Sequence, residues 1–600
     1  MKATKWVAVW ATAMIGLTVT AFAQSNAAPT NAYKIEEARL GPMDAEVLYP
    51  VFSRDGRHFA YVARRDQKLC VVVDGQAGAE YDDIGEDSVI FSPDGKRVAY
   101  AAKTGEKWSV VVNGRASAEY DGIVRGCLIF SPDGKRVAYA VQVGAKYMVV
   151  VDGRAGPEYD LIGKNSLIFS PDGKHVAYMT GMGQTRFVVV DRQEGAEYHE
   201  IRYGSLIFSP DGRRVAYAAQ QLGRKHMVVV DGQEGPEYDE ISNGTLIFSP
   251  DGRRVAYVVM EGEKQLVVVD GQEGPEYDAI GGFFVGPDGG MRDNRRPIFS
   301  PDGRHVAYVA TEGRKQSVVG NGHGGAEYGG IGNRPPIFSL DSKRVTYGAG
   351  KGQKQLVVVD GQAGADYDGV DTPIFSPDGR RVAYAAKTGE KCLVVVDGRV
   401  GAQFDGILEG SPIFSPGGRR VAYAADKGKK SLVVVDGHPG AEYEDIGKGS
   451  PIFSPDGKRV AYAAKKGEKY LVVVNGQEGA EYDGIRPTPI FSPDGKRVAY
   501  VAQKGDKNWS VVVDGQESTE YATIGNGSPI FSPNGKQVAY VAANGQKWLV
   551  VLDGQAGAYY DEIIDCAHGN GSPIFSPDGI LEYLAVREGS LYRVKYIPMP

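Results

Sequence analysis

The sequence predicts an all-β protein: tandem β-propellers of four-stranded antiparallel blades, with fourteen repeats closed as seven plus seven. Three observations predict it. The phrase IFSPDGKRVAY stands at 90–100 and recurs word for word at 129–139, 452–462 and 490–500. Its phenylalanine returns fourteen times from Phe52 to Phe575, mostly 37 to 40 residues apart, and a fixed period of that size marks a solenoid or a propeller. Every unit breaks into short β-branched or alternating runs separated by glycine, with no helical periodicity.

The unit at 450–486 shows the elements in order. Residues 450–454 form a short apolar strand, A. Pro455-Asp456-Gly457 makes a tight turn, with proline presetting one backbone angle and glycine accepting a left-handed one. RVAYAA alternates and reads as strand B. YLVVVN, 470–475, is continuously apolar and suits a strand covered on both faces, C. Gly476 and Gly479 turn the chain into AEYDGI, 480–485, read as the outer strand D. A lone four-stranded sheet leaves two apolar faces wet; stacking blades in a ring covers both and needs no capping unit.

Composition agrees. The 600 residues exceed one ordinary core, and the 81 glycines and 34 tyrosines suit many strands joined by tight turns. A net charge of −7 argues against a nucleic-acid partner. Lys2 and Lys5, the apolar run 6–22 and Ala21-Phe22-Ala23 read as a signal peptide, 1–23, so a periplasmic or secreted protein is expected, with no membrane span after cleavage. Cys70, Cys127, Cys392 and Cys566 are far apart and out of phase with the repeat, which fits neither a disulfide framework nor a metal site.

The FSPDGKRVAY phrase resembles the WD40-like repeat of TolB-type propellers, also found in the propellers of prolyl-oligopeptidase-like peptidases, over about 50–600. The resemblance implies strand A innermost and strand D outermost. The N-terminal α/β domain of TolB has no counterpart here.

Fourteen blades exceed one tightly packed ring, so two are expected, 46–335 and 336–600. Copies seven and eight decay at the midpoint: VVGNG, 318–322, replaces VVVDG, and Leu340 and Ser342 replace proline and glycine. The insertion at 281–296 suggests six plus eight as the rival division. The last copy ends after strand C, and YKIEEARL, 33–40, within the N-terminal segment 24–45, is placed to supply its outer strand.

No residues remain for a catalytic domain, and no G-x-S-x-G elbow occurs. His58, His175 and His305 fall where Arg97 stands in another copy and read as exchangeable surface residues. The SPDG turn lacks the spacing of a sialidase Asp box. The carboxylate pairs Glu80/Asp82 and Glu481/Asp483 recur in most blades, as a structural device would. Asp288 to Asn294 lacks calcium-loop spacing. No cofactor and no metal are expected.

The A–B and C–D turns barely change between copies, whereas the B–C and D–A connections vary and are expected together on the opposite face. Basic residues there precede strand C, often with an aromatic neighbour: Lys107 and Trp108, Lys146 and Tyr147, Arg186, Lys469 and Tyr470, Lys547 and Trp548. Such a ladder is a candidate site for an anionic glycan or peptide, since rings stack on sugars and cations steer anions. Its plain alternative is solvated charge that guards strand edges. The expected function is a non-catalytic exported binding or scaffold protein for an envelope protein, peptide or glycan. The alternative is a polysaccharide lyase or glycosidase working in a propeller channel.

Overall fold

The computed structural model describes residues 33–599, apart from 43–46, 55–56, 224, 282, 286–290, 294–295, 333, 487, 506–507 and 565–572. The signal-peptide segment and Cys566 lie outside the described residues. No helix occurs among those described. Fourteen antiparallel sheets follow one another along the chain, with one small extra hairpin.

Blade 2 shows how sequence becomes sheet. Strand B, Val98–Thr104, pairs with strand C, Lys107–Val112, in unbroken register from Ala99 opposite Val112 to Thr104 opposite Lys107. Asn113 and Gly114 turn the chain with φ of 48° and 77°, the left-handed pair that a tight two-residue hairpin requires. Strand D is short, Arg115–Ala116, with one further bridge from Tyr120 to Trp108.

Strand A departs from the sequence reading. It comes in two pieces, Asp83–Ile84 and Ile90–Phe91, both paired to strand B, with a bulge between them. The segment read as one outer strand in AEYDGI therefore belongs to two blades. Its tyrosine closes the outer strand of one blade, and the residues after the aspartate begin the inner strand of the next. The crossing lies beside the B–C turn, as expected. The variable residues sit in mid-strand instead, because the chain reaches strand A before it reaches them.

Each hydrophobic core joins successive blades. Val71 and Tyr81 of blade 1 pack on Tyr100 and Val111 of blade 2. The outer-strand tyrosine meets the strand-B tyrosine of the next blade edge to face, as Tyr81 meets Tyr100 with ring centroids 6.2 Å apart. Blade 7 packs on blade 8 in the same way, through Val309, Val318, Tyr347 and Leu356. Blade 14 packs on blade 1 through Leu584, Leu591, Phe59 and Tyr61. Two rings of seven would need blade 7 on blade 1 and blade 8 on blade 14, and no core among the described residues joins those pairs. The blades form a single ring of fourteen. The decay at copy eight does not break it: Ser342 adopts φ 64° and its hydroxyl accepts the Asp302 N–H at 2.8 Å.

The terminal strand closes the ring as expected from YKIEEARL. Tyr33–Pro42 runs antiparallel to Ser590–Pro598 and is the outermost strand of blade 14. Its Glu37 accepts the Tyr560 hydroxyl and pairs with Arg587 at 2.8 Å. In four other blades the glutamate of the next outer strand takes that hydroxyl, as Glu194 does from Tyr159 at 3.0 Å.

The repeated phrase is wiring between blades. Ser92 Oγ donates to Asp94 Oδ1 at 2.6 Å and accepts the Arg97 N–H at 2.9 Å. Arg97 then reaches the next blade, donating to the Lys135 carbonyl and lying 5.1 Å from the Phe130 ring centroid. Successive A–B turns touch: a Cβ on Gly252, at φ 75°, would stand 2.6 Å from Asp211 Oδ1. Grooves separate successive C–D turns, one of them lined by Asp152, Arg154, Asp191 and Arg192. The blades thus converge at strand A and diverge at strand D, which makes A the inner edge. Ordinary propellers have about four to eight blades, and fourteen turns in contact enclose a wider opening. Gly252→Val is expected to cost about 2–4 kcal/mol through backbone strain and the clash with Asp211, read as a fall in the denaturant midpoint.

Candidate functional site

The structure assigns the basic ladder to blade-to-blade clamps. Lys107 Nζ donates to Asp121 Oδ1 at 2.6 Å, and Asp121 Oδ2 accepts the Gly144 N–H of the next blade at 2.6 Å. Lys146 holds Asp160, which accepts from Gly183. Lys469 holds Asp483, which accepts from Gly505. Lys547 holds Asp561, which accepts from Glu588 N–H. These cations are committed to carboxylates that also tie the next blade. The accompanying aromatics are half-buried. Trp548 packs on the core between blades 13 and 14, and Tyr470 lies under Lys465, 5.5 Å from its ring centroid. Trp108 and Tyr147 each bridge the outer-strand tyrosine of their own blade.

Arg186 stands one residue out of phase with the lysines. It bridges Tyr198 as Trp108 bridges Tyr120, so it is the counterpart of the tryptophan. Its guanidinium donates to the Thr185 carbonyl at 2.8 Å. Thr185 takes the lysine position and His199 the aspartate position, so this junction carries no clamp. Alignment by charge hid this shift; alignment on strand register reveals it.

The histidines also belong to the wiring. His58 Nδ1 lies 2.6 Å from Asp74 Oδ2, where Arg136 Nε meets Asp152 Oδ2 at 2.8 Å. His305 faces Asn321 at 2.8 Å. A histidine thus keeps the contact to its own C–D turn.

These contacts set the pH limits. The Gly144 N–H and the Lys107 ammonium hold the Asp121 carboxyl below its ordinary value of 3.8. Lys146 and the Gly183 N–H do the same for Asp160. In the turns, Ser92 and the Lys96 N–H lower Asp94. A depressed folded value makes a contribution that is present above the unfolded value and is lost as pH falls through the folded one. Burial pushes Tyr347 and Tyr384 up to about 12 from 10.0. Their contribution is complete below 10 and is lost as pH climbs toward 12. Melting temperature is expected to stay flat near neutrality, falling below about pH 4 and above about pH 10. A thermal-melt series across pH checks both edges.

With the clamps accounted for, variation collects on the inner-edge bulges. In blade 2 the bulge is closed by Ser88, whose Oγ donates to the Gly85 carbonyl at 2.6 Å and accepts the Ala101 N–H at 3.1 Å. Ser166, Ser205, Thr245, Ser411 and Ser528 accept the equivalent N–H in their blades. The tips differ and touch one another around the ring. Arg125 binds Glu86 and Asp87 at 3.1 and 3.0 Å, and Asn165 donates to the Tyr203 hydroxyl at 3.3 Å. Tyr203 is 64% exposed. The insertion in blade 7 carries a two-stranded hairpin, Phe283–Val285 with Met291–Asp293.

Blade 8 breaks the bulge pattern. Pro335 occupies the serine position, so no hydroxyl closes over Gly348. A cavity of about 470 Å³ opens there, lined by Gly330, Gly332, Gly348, Gly350, Arg334, Gln355, Tyr347, Val370 and Asp371 among others. Among the described residues no group of histidine, cysteine and carboxylate side chains is placed to hold a metal ion.

No protein-family model matches the chain, and no curated protein matches it. Solved structures do. A eukaryotic initiation factor is 14% identical, with 64% of this chain and 98% of that one covered, at a TM-score of 0.29. The Swd1 β-propeller domain of Myceliophteria thermophila is 14% identical over 46% of this chain and 96% of its own, at 0.21. TolB from Acinetobacter baumannii is 13% identical over 59% and 82%, at 0.20. A β-propeller domain and TolB are thus among the structures this chain is similar to. At these identities the likeness concerns the fold alone.

Proposed function

We propose that the protein is an exported, non-catalytic propeller that binds a protein, peptide or glycan of the cell envelope, and that it does so along the inner-edge bulges. The observation that supports this reading is the division of labour within the repeat. SPDG, the following arginine, the lysine before strand C and the aspartate after tyrosine are spent on joining blades. The bulges differ from copy to copy while a serine or threonine closes seven of them onto strand B in the same way, and function tends to sit on loops held by a rigid scaffold. The lysine ladder is no part of this reading, because its charges are already paired.

The test uses the mature chain as bait against the exported fraction and a peptidoglycan and glycan array. Its control is a variant with three tips altered, Arg125→Ser, Tyr203→Ser and Lys448→Ser, the last at the blade 11 tip that pairs with Glu409 of blade 10 at 3.4 Å. Binding that the triple variant loses and Lys469→Met keeps supports the reading. Binding that survives the triple variant moves the site away from those three tips, and turnover of any polymer replaces the reading with the enzymatic one.

A further inference from the structure

We propose that the blade 8 cavity is a binding site for a zwitterion of the α-amino acid class, free or as the end of a short peptide. The inference rests on the binding reading above and names its ligand. The cavity exists because several positions of the repeat fail together. Strand B reads VTYGAGK where three other copies read VAYAAK; glycine at 348 occurs in this copy alone, and glycine at 350 is shared only with Gly181 of copy four. Gly330 and Gly332 face them from strand A, and Pro335 replaces the closing serine. None of these four glycines has a left-handed backbone, so the turn geometry of the fold does not call for them. A Cβ on Gly348 would meet Val370 at 3.7 Å, and one on Gly350 the Gly330 carbonyl at 3.6 Å, both ordinary contacts. The blade tolerates side chains there and lacks them, which leaves bare backbone as the cavity floor.

The groups around that floor have two chemistries. On the donor side are the exposed guanidinium of Arg334, the amide of Gln355 and the Gly348 N–H. Gln355 already accepts the Val370 N–H at 3.0 Å through its oxygen, which leaves its NH₂ to donate. Gly348 is the equivalent of Ala101, whose N–H a serine accepts elsewhere. These donors match a carboxylate. On the other side the Asp371 carboxylate and the Thr372 hydroxyl match an ammonium. Arg334 and Asp371 both line the cavity, and the structure shows no ion pair between them or to another described residue. Ile337, Val370 and Tyr347 supply an apolar wall for a side chain. No exposed aromatic face lines the cavity, which argues for an amino acid rather than a sugar ring. The volume falls in the range of small-molecule sites.

The experiment is isothermal calorimetry on the mature chain with a panel of free amino acids and dipeptides. N-acetyl and methyl-ester derivatives remove one charge at a time, and glucuronic acid serves as the sugar control. Zwitterions are expected to bind, and each capped derivative to lose at least about tenfold in affinity. Arg334→Ala should weaken the carboxylate end and Asp371→Asn the ammonium end by similar factors. Gly350→Lys installs the side chain that Lys103, Lys387 and Lys465 supply in three other copies and should abolish binding while the melting curve holds. Absence of binding across the panel, or affinity unchanged in Gly350→Lys, overturns the proposal, as does preference for glucuronic acid. Envelope capture that persists in Gly350→Lys would sink this site alone and leave the function reading standing.

Discussion

Deletion of residues 33–42 is expected to unlock the ring and produce the largest loss of stability of any short truncation. The strand pairs with Ser590–Pro598 along its whole length and brings Leu40, 1% exposed, into the core between blades 14 and 1. Removing that leucine alone, as Leu40→Ala, should cost about 2–5 kcal/mol. Deletion also takes Glu37 from Tyr560 and Arg587, and it exposes the edge of the last strand to pairing with other chains. The truncated chain should melt earlier and more broadly and should aggregate. A melting curve equal to that of the undeleted chain would mean that the strand does not close the ring.

Separation of the chain at 335/336 is expected to give two halves that do not fold alone. Each half ends in an uncovered blade face. Blade 7 loses Tyr347 and Leu356 from its core, and blade 1 loses Leu584 and Leu591 from its own. Co-expressed halves should assemble into one particle of full mass, because both interfaces are present between them. Separately expressed halves should be insoluble or self-associate. Two independently soluble, cooperatively melting halves would restore the seven-plus-seven architecture.

The blade was legible in the sequence because its period, its turns and its VVV runs repeat with little noise. The terminal strand was legible because the last copy lacks an outer strand and YKIEEARL lies in the right place. Ring closure was not, since the interface between blades 7 and 8 uses the same residue types as every other and nothing local marks a partner. The broken inner strand was hidden because pieces as short as Asp83–Ile84 carry no alternation. The lysine ladder was visible as charge, but its partners were not. Asp121 lies fourteen residues beyond Lys107 and meets it only once the outer strand folds back. The cavity could have been found from glycines 330, 332, 348 and 350 of a single copy, once strand A was known to resume before its bulge.

The most direct test of the single ring is electron microscopy of the purified chain with class averages viewed down the axis. The account predicts one ring with fourteen spokes around an open centre. Particles made of two smaller wheels side by side, each with its own axis, would contradict it.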